Sequence, residues 1–306
     1  MPRKAKAKGA GDGPALTLPD VHVFAFGNRS YGFAAANLAA SIRHHQTKDI
    51  RIVLHADEYA TNQLRGEHRA LFDEITGIPD DLFITNEILD PGKLKANIYG
   101  LLPAGDHLYL DADTMCIKDI VPLLEKLQAD GRYYITEVVG KGTGEVEYTA
   151  WASATKQRQR LREENAVVYG IQTSWAFVRK VKEAEKFFSR VKHHHKHTWK
   201  MYDLDKQWGY SMPDELIYGY TCAEQDYDPS WSRDVMFFGS KLGPMNIGEI
   251  RDQYYFMSQY GGAGNHRVVR PHYLEMYDKE MIRVFRQRSM RHYFKQSLIE
   301  EGKYFR

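Results

Sequence analysis

Short apolar segments alternate with longer segments of helical periodicity along the first half of the chain. Five runs rich in β-branched and aromatic residues, the third of them weak, predict strands: 21–26, 50–57, 81–86, 107–113 and 132–138. The segments between them predict helices over 31–45, 58–72, 92–103 and 122–130. Because strands that alternate with such helices usually pair in parallel, the pattern predicts an α/β fold. We expect a mostly parallel central sheet with helices on both faces.

The second half of the chain resumes this pattern after one interruption. Residues 140–166 are rich in Gly, Thr and charged side chains, and we expect an insertion there that could form a flap over a site. The later pattern predicts strands at 167–180, 235–238 and 266–274, and helices at 181–200 and 212–224. We therefore predict a single domain over 19–280, followed by a basic amphipathic helix over 281–306.

Composition and charge exclude several classes of protein. The 306 residues are 43% hydrophobic, which excludes a disordered chain, and a net charge of +2 does not require a polyanionic partner. Cys116 and Cys222 lie far apart without the spacing of a metal site, and no apolar run is long enough for a transmembrane helix. The first residues lack the apolar core of a secretory signal, so we expect a cytoplasmic protein.

Positive charge is concentrated in the N-terminal segment. Residues 1–18 combine Lys and Arg with Gly and Pro, and they cannot bury enough surface to fold. We expect a disordered basic arm, which is either simply solvated or in electrostatic contact with nucleic acid or an anionic membrane.

Two carboxylates directly follow one of the predicted strands. In the segment GDHLYLDADTMCIKDI, Asp111 and Asp113 come after the apolar run Leu108–Leu110. Strand alternation continued through Asp113 would put both carboxylates on one side, where they repel each other unless a cation is shared or one is protonated. A hard divalent ion with oxygen ligands suits such a pair. The alternative is a strand that ends in solvent and caps the next helix.

Phosphatase chemistry is a second possibility for this motif. Phosphatases of the haloacid-dehalogenase type also place Asp-x-Asp after an apolar strand, but their pattern asks for Thr or Val two positions after the second Asp. Met115 occupies that position here, and Thr114 stands one position too early. Their motif also normally opens the domain, whereas this one lies well inside the chain. The sequence therefore disfavours a phosphatase.

The surroundings of the motif resemble a known family of enzymes. Residues 95–125 are similar to the core of glycogenin-like, family-8-type glycosyltransferases of the GT-A fold. In that core a basic residue begins a helix and an apolar strand then ends in Asp-x-Asp. Lys95 occupies the basic position, and the resemblance extends more loosely over 21–280. It implies a single GT-A domain and transfer of a sugar from a nucleotide-sugar donor, with UDP as the expected nucleotide and retention of anomeric configuration.

The resemblance also implies roles for individual residues. Asp111, Asp113 and His272 would hold Mn²⁺ or Mg²⁺, and an imidazole ligand favours Mn²⁺. Asp214 and Glu215 would face the reacting carbon and hydroxyls of the sugar, and Lys95 would reach a phosphate or the sugar. The residues expected to contact the nucleotide sugar and its metal are Phe26, Asn28, Arg29, Tyr31, Lys95, Asp111, Ala112, Asp113, Ser174 and Lys279.

Several positions depart from the family pattern. Trp175 replaces a Gly that lies close to the donor sugar, and Glu215 replaces a Gln. Lys279 stands one residue further from His272 than the corresponding Lys of the family. The identity of the sugar therefore stays open. The run HHHKH at 193–197 could suggest a metal site, but adjacent helical residues point in different directions, so we expect a solvated helix face.

The acceptor is the least defined part of the prediction. The basic arm, the segment KQRQRLR at 156–162 and the C-terminal basic helix would suit an anionic acceptor such as DNA with a hydroxymethylated base. A saccharide or glycolipid acceptor and a protein acceptor are the other possibilities. A non-catalytic binding protein with this fold, which uses its basic surfaces for nucleic acid or an anionic membrane, is the alternative to an enzyme.

Overall fold

A computed structural model describes most of the predicted domain. The described residues are 17–27, 29–85, 88–142, 163, 168–202, 214–232, 234–237 and 247–258. Several sequence predictions lie outside them: nearly all of the basic arm, most of the 140–166 insertion, the strand at 266–274, the C-terminal helix, Asn28, His272 and Lys279.

Strands and helices alternate through the described residues. The strands are β1 (Asp20–Ala25), β2 (Ile52–Ala56), β3 (Glu74–Gly77), β4 (Ile84–Thr85), β5 (Ile88–Leu89), β6 (Gly105–Asp111), β7 (Thr114–Cys116), β8 (Tyr134–Gly142), β9 (Val168–Lys180), β10 (Ser230–Trp231), β11 (Met236–Phe237) and β12 (Phe256–Ser258). The helices are α1 (Arg29–His45), α2 (Glu58–Gln63), α3 (Gly66–Arg69), α4 (Pro91–Leu101), α5 (Val121–Asp130), α6 (Lys182–Tyr202), α7 (Asp214–Glu224) and α8 (Ile247–Gln253).

Seven of these strands form the central sheet, in the order β10-β8-β9-β6-β1-β2-β3. Every neighbouring pair is parallel except the two pairs made by β9, which runs antiparallel to both β6 and β8. The predicted α/β fold with a mostly parallel sheet is therefore confirmed. Because β1, β2 and β6 run in the same direction, their carboxyl ends meet at one edge, where ligands of such sheets bind.

Helices cover both faces of the sheet, as predicted, and alternate strand positions supply the two cores. Val23 and Leu110 face a cluster that contains Leu38 of α1 and Leu124 of α5. On the other face, Phe24, Tyr109 and Val178 pack in a cluster with Leu94 of α4, Phe188 of α6 and Leu216 of α7. The second face carries the candidate site, because α4 and α7 approach each other there.

Two predictions between β2 and α4 were wrong. The predicted helix over 58–72 is two short helices, α2 and α3, and the third strand of the central sheet is β3 rather than 81–86. Residues 80–82 form a 3₁₀ turn, and 84–85 pair only with β5 in a separate hairpin. A four-residue edge strand with partly exposed side chains has too few apolar positions to give a clear periodic signal.

The strand before the two aspartates begins and ends two residues earlier than predicted. It ends at Asp111, residues 112 and 113 form a turn, and Thr114 begins β7, which belongs to a small three-stranded sheet with β11 and β12. The argument that strand alternation places Asp111 and Asp113 on one side was therefore wrong. No helix among the described residues is both long and apolar enough to cross a bilayer.

Candidate active site

Three elements bring charged side chains together at the carboxyl end of β6. Asp111 is the last residue of that strand, Lys95 lies in the second turn of α4, and Asp214 and Glu215 begin α7. The local sequence explains why α4 begins where it does: the Asp90 side chain accepts a hydrogen bond from the Lys93 amide, and Pro91 follows at the first helical position. The acidic pair at the start of α7 is favoured by the helix dipole.

Lys95 lies between two carboxylates. Its Nζ is 3.0 Å from Asp111 Oδ2 and 2.9 Å from Asp214 Oδ2. The carbonyl oxygen and hydroxyl of Thr173 are each 3.4 Å away, and the lysine side chain is 13% exposed. Burial alone would lower the pKa of Lys95, but the two carboxylates outweigh it and hold the pKa well above its usual value. Lys95 is therefore a charged bridge between β6 and α7.

Asp111 has a partner on each oxygen. Oδ2 accepts from Lys95, and Oδ1 accepts a hydrogen bond from the hydroxyl of Tyr109, which lies two residues earlier on the same face of β6. Burial raises the pKa of Asp111, and the opposing effects of Lys95 and Tyr109 do not fully cancel it. A carboxylate in such surroundings would be stabilised by one more positive charge.

A distortion of β9 positions Thr173. The pairing of β8 with β9 shifts register between Ile135 and Glu137, so several residues of β9 stand opposite Thr136. The Thr136 hydroxyl is 2.6 Å from the Gln172 carbonyl and 2.8 Å from the Trp175 carbonyl, which holds both ends of the bulge. Thr173, within the bulge, donates a hydrogen bond from its hydroxyl to Asp214.

Asp214 and Glu215 form an asymmetric pair of carboxyl groups. Burial would raise the pKa of Asp214, but Lys95 and Thr173 outweigh it and lower the pKa. Burial, and then the negative charge of Asp214, raise the pKa of Glu215 well above its usual value. The two carboxyl groups are hydrogen-bonded to each other, and their surroundings favour the charged form of Asp214 and the neutral form of Glu215. Glu215 Oε2 is buried and has no hydrogen-bond partner within the described part of the chain, which leaves it available to a ligand.

The structure also describes most of the other predicted site residues. Phe26 follows β1 and stacks at a tilt on Phe83, with 5.5 Å between ring centroids, while Tyr31, in the first turn of α1, is partly buried and packs against the core. Ala112 is buried in the turn, and Asp113 and Ser174 are half-buried. Arg29 begins α1. Hydrogen bonds and ion pairs join four of the predicted site residues, Lys95, Asp111, Asp214 and Glu215, into one cluster.

Two sequence interpretations near the site need correction. Trp175 is completely buried in the core cluster that α1 and α5 cover, so it fills the protein interior rather than an open sugar pocket. The HHHKH run is not simply a solvated face. His194 Nε2 lies 3.0 Å from Glu224 Oε2, and His195 Nε2 lies 3.0 Å from Asp90 Oδ2, with the side chains only 14% and 12% exposed. Neighbouring helices cover this face of α6. The polar sequence of the segment was therefore not a sign that its side chains are exposed to solvent.

Sequence reasoning missed two residues that contact the charged centre. Tyr109 could have been found, because strand alternation places it on the same face as Asp111. Thr173 could not, because its contact with Asp214 depends on the bulge in β9, and no residue of that segment signals a bulge. The hydroxyl of Tyr109 donates a hydrogen bond to Asp111, and the hydroxyl of Thr173 donates one to Asp214.

The donor chemistry of the site fits a divalent cation. Asp111 and Asp113 provide hard carboxylate oxygens, which Mn²⁺ and Mg²⁺ accept. Burial raises the pKa of Asp111 although Lys95 and Tyr109 act in the opposite direction, so a further cation beside it would favour its charged form. These residues could therefore hold part of a metal's ligand set. His272, the third predicted ligand, lies outside the described residues.

Comparisons with known proteins identify the fold. No family model and no curated protein sequence matches the chain. Among solved structures, mouse xyloside xylosyltransferase 1 in its apo form is similar with a TM-score of 0.51 and 10% identity, over 82% of this chain and 99% of that one. The galactosyltransferase LgtC, in complex with donor and acceptor sugar analogues, gives 0.52 and 13%, over 85% and 95%. The bifunctional glycosyltransferase WbbM gives 0.55 and 13%, over 92% of this chain and 52% of that one.

The chain therefore has the fold of GT-A-type glycosyltransferases, as a single mixed α/β domain. The similar structures named above are all glycosyltransferases. At 10–13% identity the likeness concerns the fold. Membership of the glycogenin-like family stays a prediction from sequence.

Proposed function

We propose that the protein is a metal-dependent glycosyltransferase that moves a sugar from a nucleotide-sugar donor, with UDP as nucleotide, to a hydroxyl acceptor with retention of anomeric configuration. In this reaction the bond between the anomeric carbon and the diphosphate oxygen breaks. The acceptor oxygen forms the new bond, and its proton passes to the departing diphosphate. The fold agrees with that of known glycosyltransferases, and the carboxyl ends of the parallel strands are where such a donor would bind.

The observation that carries the proposal is the ion cluster formed by Lys95, Asp111 and Asp214. A buried ammonium with two carboxylates is costly to assemble, and apolar side chains of similar size would often be at least as stable there. Its position at the carboxyl end of β6 supports a role in binding a charged, polyhydroxylated substrate, as does the neighbouring Glu215 oxygen that has no partner among the described residues.

Each residue of the cluster has a role that its surroundings support. Asp111 and Asp113, with His272, would hold Mn²⁺ or Mg²⁺, which when bound would neutralise negative charge on the diphosphate. Asp214 is ionised and would stabilise positive charge that develops at the anomeric carbon. Glu215 is hydrogen-bonded to Asp214, and its other oxygen, Oε2, would accept a hydrogen bond from a sugar hydroxyl. Lys95 has both carboxylates within reach, so we assign it the positioning of Asp111 and Asp214.

The acceptor we propose is a saccharide. LgtC, one of the similar structures, was solved with an acceptor sugar analogue, and the basic segments that would favour DNA lie outside the described residues. A hydroxymethylated DNA base or a glycolipid would require those segments. A screen of sugar, lipid and DNA acceptors against one donor would distinguish them.

The proposal is tested by calorimetric titration of the full chain with UDP and Mn²⁺, followed by release of UDP from a panel of UDP-sugars. We expect UDP to bind only when Mn²⁺ is present. Asp111→Asn should weaken this binding at least about tenfold, because it removes the charge that a hard cation requires. UDP release should fall in parallel.

The matched control is Asp106→Asn on the same strand. Asp106 pairs with Arg179 at the opposite end of β6, so this variant also deprives a basic side chain of its carboxylate, but far from the cluster. It should bind UDP and Mn²⁺ as the original protein does. If folded protein does not bind UDP with Mn²⁺, or if both variants bind equally well, the enzyme proposal is wrong and a non-catalytic binding protein becomes the better account.

A further inference from the structure

Three imidazoles form a hydrogen-bonded row through the middle of the central sheet, on the face that α4 covers. His55, His22 and His107 come from the adjacent parallel strands β2, β1 and β6, and all three are almost completely buried. His55 Nε2 is 2.8 Å from His22 Nδ1, and His22 Nε2 is 3.0 Å from His107 Nδ1. His107 Nε2 is 3.0 Å from the carbonyl oxygen of Pro103.

The carbonyl at the end of the row fixes every tautomer. A carbonyl oxygen only accepts, so His107 Nε2 carries the proton and His107 Nδ1 is an acceptor. His22 Nε2 must then donate to His107, and His22 Nδ1 must accept from His55 Nε2. This pattern of donors and acceptors holds for neutral rings, and burial lowers the pKa of all three histidines. The one remaining ring nitrogen, His55 Nδ1, is buried with no hydrogen-bond partner within the described residues.

A carboxylate joins the row at its more exposed end. Asp20, at the start of β1, is opposite His107 in the register of the β1–β6 pair. One ligand atom from each of Asp20, His22 and His107 lies within 4.8 Å of the others. The Asp20 side chain is 24% exposed, so solvent reaches the group from that side. Arg51 also contacts it, with 2.6 Å between Nη1 and Asp20 Oδ2.

We propose that Asp20, His22 and His107 form a binding site for a zinc-like divalent cation, separate from the candidate active site. Two imidazoles and a carboxylate are a donor set that suits Zn²⁺, with solvent as a fourth ligand. Tetrahedral Zn–N bonds of about 2.0–2.1 Å place two ligand nitrogens roughly 3.4 Å apart. His22 Nε2 and His107 Nδ1 are already 3.0 Å apart, so the two rings need to separate only slightly.

Metal binding replaces the hydrogen bond between His22 and His107, and the protons along the row shift to other ring nitrogens. With the cation on His22 Nε2 and His107 Nδ1, the second ring nitrogen of each ligand keeps a partner. His107 Nε2 still donates to Pro103, and the His22 proton moves to Nδ1 and is donated to His55 Nε2. The His55 proton moves to Nδ1. Each ring keeps one proton, so the three imidazoles release none, and each ligand histidine has the outer partner that metal sites usually provide.

The site lies apart from the proposed nucleotide-sugar site. His107 and Asp111 are four residues apart on β6, which corresponds to about 13 Å along an extended strand. The zinc proposal therefore does not rest on the proposed glycosyl transfer. Asp111→Asn should bind Zn²⁺ as the original protein does, so the two proposals fail independently.

The test is titration of the chelator-treated full chain with Zn²⁺ by calorimetry and with Co²⁺ by visible absorption. In Asp111→Asn, which lacks a ligand of the candidate active-site metal, we expect one equivalent to bind, an absorption spectrum typical of Co²⁺ with four ligands, and a higher unfolding temperature with Zn²⁺. His107→Gln should weaken binding by about 100-fold or more, because it removes a ligand. Asp20→Asn should do the same, and because Asp20 is not fully buried this variant is the safer one for folding.

Arg51→Gln is the matched control. Arg51 pairs with Asp20 and Glu74, so this variant breaks the same ion pair as Asp20→Asn but frees the carboxylate for the metal. Zn²⁺ should bind Arg51→Gln more tightly and Asp20→Asn more weakly. The proposal is overturned if the folded protein binds no stoichiometric Zn²⁺ or Co²⁺, if the two variants change affinity in the same direction, or if His107→Gln leaves binding unchanged.

Discussion

Lys95 lies in surroundings that would ordinarily discharge a lysine. Its side chain is 13% exposed, and only the carboxylates of Asp111 and Asp214 keep its ammonium charged. The dependence is mutual, because Lys95 supplies the positive charge in the ion pairs of both carboxylates. Removal of Lys95 would therefore leave two buried carboxylates without their cation, and removal of a carboxylate would leave the buried ammonium with less negative charge beside it.

At the residue scale we expect Lys95→Met to lower the free energy of unfolding by about 3–5 kcal/mol, because two buried carboxylates lose their cation. UDP release should also fall, since Asp111 and Asp214 are no longer held in place. Urea unfolding measures the change in the free energy of unfolding, and the UDP-release assay measures the change in rate. The control is Lys93→Met on the same helix, where Nζ donates only to the Ile84 carbonyl at 2.7 Å and the expected loss is about 1 kcal/mol. Equal losses in both variants would contradict this account of the ion cluster.

Individual residues differ in how far the sequence predicted them. Asp111, Lys95, Asp214 and Glu215 were found because a motif with defined spacing carries them, and the structure gathers all four. Trp175 was misplaced. The sequence pattern located the backbone of Trp175. It did not show on which face of the sheet the side chain lies, because the bulge in β9 changes the alternation of side chains.

At the element scale, the bulge in β9 depends on one hydroxyl. Thr136 lies within hydrogen-bond distance of the Gln172 and Trp175 carbonyls, and the bulge holds Thr173 against Asp214. We expect Thr136→Val to lower the free energy of unfolding by about 1–3 kcal/mol, because it leaves buried carbonyl groups unpaired. The UDP-release rate should fall by a larger factor than in Thr76→Val, a control on the edge strand β3. A Thr136→Val protein with unchanged rate would show that the bulge does not position Thr173.

The helix that carries Lys95 is fixed at its start by Asp90. That carboxylate accepts from the Lys93 amide at 3.0 Å, the Thr85 hydroxyl at 2.9 Å and His195 Nε2 at 3.0 Å, so one side chain joins α4, β4 and α6. Burial would raise the pKa of Asp90, but these hydrogen bonds, with His195 the strongest contributor, outweigh it and lower the pKa. The HHHKH segment is therefore part of the framework of the site.

The lowered pKa of Asp90 predicts a pH dependence of stability. An unfolded Asp has a pKa of about 3.9, so this contribution is fully present above that value and is lost as the pH falls through the lower folded pKa. Asp90→Asn should reduce the loss of stability below about pH 4, and urea unfolding at a series of pH values measures it. Asp81→Asn, an exposed acid nearby, serves as control. If Asp90→Asn has the same pH slope as the original protein, the hydrogen bonds at Asp90 do not set its ionisation.

At the scale of the whole molecule, one sheet separates two cores. The sequence predicted this arrangement because the strands at its centre have apolar residues on both faces, and the helices between them each have one apolar face. The prediction failed between 72 and 89, where short elements at the sheet edge have too few buried residues to impose a period. The site could be located for the same reason that the fold could: parallel strands direct their carboxyl ends to one edge.

The site also joins the parts of this single domain. Lys95 belongs to α4, Asp111 to β6 and Asp214 to α7, so a ligand that binds all of them should stabilise the domain as one cooperative unit. We expect one thermal transition, with the same midpoint by far-ultraviolet circular dichroism and by tryptophan fluorescence. UDP and Mn²⁺ at about 100 times the dissociation constant should add roughly 2.7 kcal/mol, which raises the midpoint by about 5 °C or more. Asp111→Asn should show the single transition without that shift. Two separated transitions, only one of which responds to UDP and Mn²⁺, would contradict a single cooperative domain around the site.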